Sequence, residues 1–330
     1  MDPYIYAAQA VGDDEEKTSS SIIKNNFIYG EDTLKFGKEL GKGNFASTNL
    51  ATFTHSGKER KVAVKSLTNG ENVDEFKKEL LSLMLVSGQK NIMSFVGVCL
   101  RRNGQLSFIT EYCERGSLDK LHKKEDLTKP GIFWKISSGI FLALMHLHGL
   151  KILHRDVACR NILIKHDWTP KLSDFGLSVR FQGSYHSAEH GDKIPVGWCA
   201  PEIFIGSPRF TTQSDVYSAG VTLWEILNKG DTPYKSKHPE LDWKAIRKKI
   251  IDGKLSLEIP ENTDEKYATL VKACLSDASK RPSAYDVLCK YVSDGLKCLQ
   301  ENGSAEMLRS HAAKEYEKKW AAKLEGLVHD

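Results

Sequence analysis

Four short stretches of this 330-residue chain carry side chains suited to chemistry on phosphate. Asp156 and Asn161 stand five residues apart in His154-Arg155-Asp156-Val157-Ala158-Cys159-Arg160-Asn161, and Asp174 follows in Asp174-Phe175-Gly176. A carboxylate and an amide at that spacing on a tight loop can face one cluster of metal ion and phosphate. Each alone would also serve as a plain loop cap. Lys65 ends the run Val62-Ala63-Val64-Lys65. A Lys flanked by Val and Ala on a buried strand needs anionic partners: phosphate groups and a carboxylate from the next helix, for which Glu79 is the natural candidate. The alternative is an edge-strand Lys whose head group reaches water. The stretch Leu40-Gly41-Lys42-Gly43-Asn44-Phe45-Ala46-Ser47-Thr48 is a Gly-containing turn. Its backbone N–H groups can approach phosphate oxygens with no Cβ in the way. A plain hairpin turn would read the same, but this turn starts a strand and leads into no helix, unlike Rossmann and Walker sites.

These residues need elements to carry them. Leu34–Leu40, Ser47–Phe53 and Lys61–Leu67 read as short strands separated by turns, and Phe95–Arg101 and Leu106–Glu111 as two more. Between them Val73–Val86 has helical periodicity, with Phe76, Leu80, Leu83 and Leu85 apolar. After Gly116 the pattern is helical, over Ile132–His148, Asp215–Leu227, Lys244–Ile251, Tyr267–Leu275 and Ser283–Val292. The expectation is an α+β chain with a small β-rich lobe (about 34–113) and a larger helical lobe (about 114–298). Residues 1–33, polar and acidic, read as a flexible arm. Residues 299–330 read as a helical tail, with one helix over Ala305–Leu327.

Composition narrows the class. Hydrophobic residues make up 40% and charged residues 27%, ordinary for a globular enzyme, and a net charge of +4 argues for neither nucleic acid nor a membrane surface. The seven cysteines are scattered, without metal-ligand spacing, which suggests reduced thiols and a cytoplasmic protein. No signal-peptide pattern opens the chain, Asp2 excludes N-myristoylation, and Gly139–Leu153 is too short and too polar to span a bilayer.

The catalytic-loop, Asp-Phe-Gly and Ala200-Pro201-Glu202 motifs, in this order with Gly41 before and Arg281 after them, resemble the protein kinase family over roughly 34–298. The resemblance implies the two-lobed protein kinase fold, with ATP and Mg2+ in the cleft. It implies that Asp156 accepts the substrate hydroxyl proton, that Asn161 and Asp174 hold magnesium, and that Lys65, fixed by Glu79, neutralises phosphates. ATP would also meet the flap residues Leu40 to Thr48, with Ala63, Leu163, the gatekeeper Thr110, and backbone groups of Glu111 and Cys113. Ala46 and Thr48 depart from the usual Gly and Val of the flap; both are small and leave the pocket open.

The same comparison speaks to the acceptor hydroxyl. Ser/Thr kinases usually carry a Lys two residues after the catalytic Asp, where this chain has Ala158. Arg160 matches the Ala-Ala-Arg pattern of tyrosine kinases, with Val157 and Cys159 as departures. Pro195-Val196-Gly197-Trp198 resembles their substrate platform, with Gly197 in place of the usual Lys or Arg. Asp215 would brace the catalytic loop from the helix that also carries Trp224 and Glu225. Glu202 and Arg281 match a pair tying the activation segment to the helical lobe, and Leu275 stands where Trp is frequent. Tyr185 is the expected regulatory phosphosite, its phosphate pairing with Arg155 and Arg180.

The sequence therefore reads as a tyrosine kinase of intracellular signalling acting on proteins that bear tyrosine. The opening Met and the short arm suggest a stripped, non-receptor form. A pseudokinase scaffold would lack Lys65, Asp156 or Asp174, and a Ser/Thr or dual-specificity kinase would carry Lys at 158. Oligomeric state and physiological substrate leave no sequence mark.

Overall fold

The computed structural model describes residues 27–43, 46–68, 73–102, 105–188 and 193–292, which form two compact units. The first comprises the described residues as far as Gln89 together with Met93–Tyr112; the second takes Lys90–Ile92 and continues from Cys113.

The first unit is a six-stranded sheet with one helix. Its strands are β1 (Ile28–Gly30), β2 (Leu34–Lys42), β3 (Ala46–His55), β4 (Lys58–Leu67), β5 (Phe95–Leu100) and β6 (Leu106–Glu111), in the order β1-β5-β6-β4-β3-β2. Alternation sorts the side chains: Ala51 and Phe53 on β3, Val62 and Val64 on β4, and Ile109 on β6 bury one face. Lys65 therefore points to the opposite face, where Phe108 is its register partner. Helix α1 (Val73–Val86) covers that face, with Phe76 against Phe108 at 5.1 Å between ring centres. Phe76, Leu80 and Leu83 are buried, each worth about 2 kcal/mol in removed apolar surface. The i, i+3, i+4 spacing puts Glu79 on the same stripe, facing the sheet.

One boundary differs from expectation. Residues 27–33 belong to this unit rather than to a flexible arm. β1 pairs in parallel with β5, Tyr29 packs edge-on against Phe53 at 4.8 Å, and a 3-10 turn follows at Glu31–Thr33. The Glu31 carboxylate accepts the Arg102 amide at 2.8 Å and the Arg101 guanidinium at 3.2 Å, and these contacts lower its pKa. Residues 1–26, the tail beyond Val292, Asn44 and Phe45 lie outside the described residues.

The second unit is mainly helical. It begins with β7 (Gly116–Ser117), α2 (Leu118–Leu121), α3 (Pro130–Gly149) and β8 (Ile152–Leu153). Short strands β9 (Ile162–Ile164), β10 (Pro170–Leu172), β11 (Val179–Arg180), β12 (His186–Ser187) and β13 (Arg209–Phe210) follow. Helices α4 (Thr212–Leu227), α5 (Trp243–Ile251), α6 (Glu265–Cys274) and α7 (Ala284–Lys290) complete it. Helix α3 is long and apolar enough to cross a membrane, but most of it is buried inside this unit, as a core helix must be. Helix α4 is buried at every position from Ser214 to Ile226, so it is a central post with no solvent face. A reciprocal cap starts it: the Ser214 amide donates to Thr211 Oγ1 at 3.2 Å and the Thr211 amide to Ser214 Oγ at 3.0 Å. The charged side chains on this post, Asp215 and Glu225, must find partners inside the unit.

Candidate active site

Each unit carries one half of the residues that the sequence singles out. In the first, the Lys65 ammonium bonds both carboxylate oxygens of Glu79, at 2.5 and 2.6 Å. Both side chains are largely sheltered, at 25% and 13% exposure, so the pair is screened less than a surface pair. The flap is the β2–β3 hairpin, with Gly41 opposite Thr48, Lys42 opposite Ser47, and the Gly43 amide donating to the Ala46 carbonyl at 2.8 Å. A Cβ placed on Gly41 would meet nothing within 4 Å, and its φ is not left-handed. The chain's own fold thus does not require glycine there, whereas a phosphate approaching the backbone would. Leu40 is half-buried and Ala46 buried. Ala63 faces Thr110 across β4 and β6, and Thr110 is buried. The Glu111 carboxylate accepts the Ser94 amide at 2.9 Å.

In the second unit, Asp215 organises the catalytic loop from the first turns of α4. Its carboxylate accepts the amides of His154 and Arg155, each at 2.9 Å, and bonds His148 Nε2 at 3.0 Å. Burial alone would raise the Asp215 pKa; the His148 and backbone bonds outweigh burial and hold it below its ordinary value. Burial holds the adjacent His154 imidazole below its ordinary value as well. The bracing has backbone work to do, because Arg155 has φ 68°. A left-handed non-glycine residue costs about 1–2 kcal/mol.

The loop then turns through a 3-10 segment at Cys159–Asn161 that returns two side chains to Asp156. Arg160 pairs with Asp156 Oδ1, and Asn161 Nδ2 donates to Asp156 Oδ2 and to its carbonyl, both at 2.8 Å. With both amide hydrogens directed at Asp156, Oδ1 is the atom Asn161 has left to offer a cation. The Asn161 carbonyl accepts the amide and hydroxyl of Ser173, each at 2.9 Å, which brings the Asp174 segment alongside. Asp174 is itself left-handed at φ 63°, and Phe175 is buried against the His154 ring. Among the described residues no cluster of three or more His, Cys, Asp or Glu could hold a metal. The amide oxygen of Asn161 and the carboxylate of Asp174 instead make a sparse oxygen set. That suits a magnesium ion completed by waters and phosphate oxygens. Leu163 lies on β9 between Ser117 and Lys171, and the buried Cys113 accepts the Gly116 amide at its carbonyl, 3.2 Å away.

The platform folds against the same loop. The Trp198 amide donates to the Pro195 carbonyl at 2.9 Å, closing a turn. The Arg160 guanidinium lies 4.2 Å above the Trp198 ring. Gly197 has a physical reason here: a Cβ would meet the Trp243 ring at 3.0 Å, so the Lys or Arg usual at this position would push that ring aside by a few tenths of an ångström. Glu202 takes the buried Arg281 guanidinium on both oxygens, at 2.6 and 3.2 Å. Tyr185 is exposed, and Arg209 stacks on it at 4.5 Å. Arg155, an expected phosphate partner, is buried with its guanidinium 4.2 Å from the Phe210 ring; Arg180 is exposed. Sequence reasoning missed Arg209 and the contacts of Glu225. Only the pairing of β12 with β13 brings Arg209 to Tyr185.

The family model for protein tyrosine and serine/threonine kinases matches residues 34–290. Tyrosine-protein kinase HTK16 of Hydra vulgaris is 38% identical over 231 residues, which are 68% of this chain and 30% of that protein. The chain thus spans less than a third of that relative's length.

Proposed function

We propose a tyrosine-directed phosphoryl transfer for this chain, which belongs to the protein tyrosine and serine/threonine kinase family. Members of that family use ATP and magnesium, and bound magnesium would neutralise charge on the phosphates. In our reading Asn161 and Asp174 hold that ion, and Lys65, oriented by Glu79, binds the nucleotide phosphates. Asp156 orients the acceptor hydroxyl and takes its proton. Its two carboxylate oxygens are already aligned by Arg160 and Asn161, so little reorganisation is left for the reaction.

One observation carries the choice of hydroxyl: Arg160 pairs with Asp156 while it stacks on Trp198. The cation near the reacting oxygen therefore comes from the residue that also lines the platform. Ala158, where a Ser/Thr kinase would place its Lys, is fully buried and offers no charge. Purified protein with magnesium and ATP should label a Glu–Tyr copolymer and leave a Ser/Thr copolymer unlabelled; equal labelling would refute the tyrosine reading. The same proposal includes a cytoplasmic location, in keeping with the scattered cysteines; fractionation of cells producing the protein would test it. It also includes Tyr185 as a regulatory phosphosite, supported by its exposure beside Arg209. Phosphopeptide mapping after incubation with ATP tests that point, and an unmodified Tyr185 would remove it.

A further inference from the structure

Glu225 is a buried carboxylate that the transfer chemistry does not use. It sits near the end of α4, 5% exposed, on a helix with no solvent face. A carboxyl in such a place costs free energy unless hydrogen bonds compensate. Burial pushes its pKa up to about 7, against the pull of its bonds to Cys159 and Trp198. Both bonds fall on one oxygen: Oε2 accepts the Cys159 amide at 3.0 Å and the Trp198 indole N–H at 2.8 Å. The first amide of the 3-10 turn at Cys159–Asn161 is thus satisfied by the same atom that tethers the platform indole.

We propose that Glu225 is a positioning residue for acceptor selection: it fixes the plane of the Trp198 indole, and through it the Arg160 guanidinium at Asp156. This rests on the tyrosine reading given above. Trp198 is held at three points. Its ring N–H goes to Glu225, its carbonyl accepts Ser218 Oγ at 2.8 Å, and its amide donates to Pro195 at 2.9 Å. Only the first of these fixes rotation of the ring, since the other two hold backbone. Arg160 is 36% exposed and has a long, rotamer-rich side chain. The ring face 4.2 Å below it limits where the guanidinium can lie, so a turned indole would release it. The tether does not depend on charge. A protonated carboxyl, or an amide, still presents an oxygen able to accept both N–H groups.

The test compares Glu225→Gln, Glu225→Leu, Trp198→Phe and the Leu/Phe double variant. Each is measured on paired peptides differing only in Tyr or Ser, with KM for ATP and a thermal melt recorded. Trp198→Phe matters because it keeps a ring for stacking and deletes the N–H, even if Glu225→Leu folds poorly. The expected result is a loss of roughly tenfold or more in kcat/KM on the tyrosine peptide for Glu225→Leu and for Trp198→Phe. KM for ATP should be unchanged, Glu225→Gln should stay within about threefold of wild type, and the double variant should be no worse than the poorer single one. A folded Glu225→Gln that loses as much as Glu225→Leu would overturn the proposal. So would Trp198→Phe at wild-type rate, or an equal loss in ATP affinity. A wild-type enzyme equally fast on Ser would refute the tyrosine reading alone. The positioning role would then be decided by whether the same variants lose rate on both peptides.

Discussion

The two units secure their reactive groups in different ways. In the first, Lys65 is placed by its pair with Glu79, and the flap above it is a hairpin whose Gly41 could carry a Cβ without a clash. In the second, Asp156 sits in a lattice of crossed bonds. Asp215 holds the loop entrance, Asn161 and Arg160 hold the carboxylate, and Glu225 holds the loop exit together with the platform. The first arrangement leaves room for a ligand to complete it. The second is tied by bonds within the chain itself, and it sustains left-handed backbone at Arg155 and Asp174. If the proposed roles hold, the lesson is that binding residues can be left adjustable, whereas residues that align a reacting oxygen are fixed from several sides.

Substitutions should expose that contrast. The largest effect belongs to Asp156→Asn. On the proposed mechanism it removes the proton acceptor but leaves a side chain of the same shape, so turnover should fall by about 10³-fold while nucleotide affinity measured by calorimetry stays near wild type. Near-normal turnover would end the assignment. Next comes Lys65→Met in the looser unit, where phosphates lose their cation and kcat/KM for ATP should drop by roughly 10²-fold. Stability should change little there, because Met keeps the apolar stem of the side chain; a large fall in melting temperature would mean that the first unit is as tightly determined as the second.

Glu225 gives a pH signature confined to the second unit. Its folded pKa is raised from 4.5 to about 7, so folding favours the protonated carboxyl. The stability this supplies is complete below about pH 4.5 and is lost as pH rises through 7, on the order of 3 kcal/mol in all. Glu225→Gln cannot titrate, so its stability relative to wild type should grow between pH 5 and pH 8 in urea titrations. A difference independent of pH would show that the carboxyl is ionised throughout. The smallest effect is expected for Gly41→Ala, which should leave the melting temperature within about 2 °C and raise KM for ATP several-fold. A marked loss of stability would show that the flap glycine serves the fold rather than a ligand.

Local pattern explains what could be read before the structure. Helix α1 is legible because Phe76, Leu80 and Leu83 repeat at helical spacing over a run bounded as the structure has it, Val73–Val86. The motif residues Asp156, Asn161 and Asp174 share one loop system, tied through the Asn161 carbonyl, because their spacing already encodes that turn. β1 was hidden: three residues are too few to show alternation, and their parallel partner, Val98–Leu100, is some seventy residues away. Arg155 is a different case. Its position beside Asp156 suggests a phosphate ligand, and the packing that buries it on Phe210 depends on β13, which no local pattern announces. Gly197 was visible as a departure and unexplained until α5 brought Trp243 over it.

The central claim is that Asp156, Arg160 and Trp198 of the second unit select tyrosine. A phenol oxygen lies several ångströms farther from the peptide backbone than a Ser hydroxyl, and misplacement by about 1 Å can cost ~10²-fold in rate. The most direct measurement is kcat/KM of the wild-type protein on two peptides that differ only by Tyr or Ser at the acceptor position. The account predicts a preference for Tyr of at least about 10²-fold, lost in large part when Arg160 is changed to Ala with ATP affinity retained. Comparable values on the two peptides would contradict it and leave a protein kinase whose Arg160 and Trp198 serve some other end.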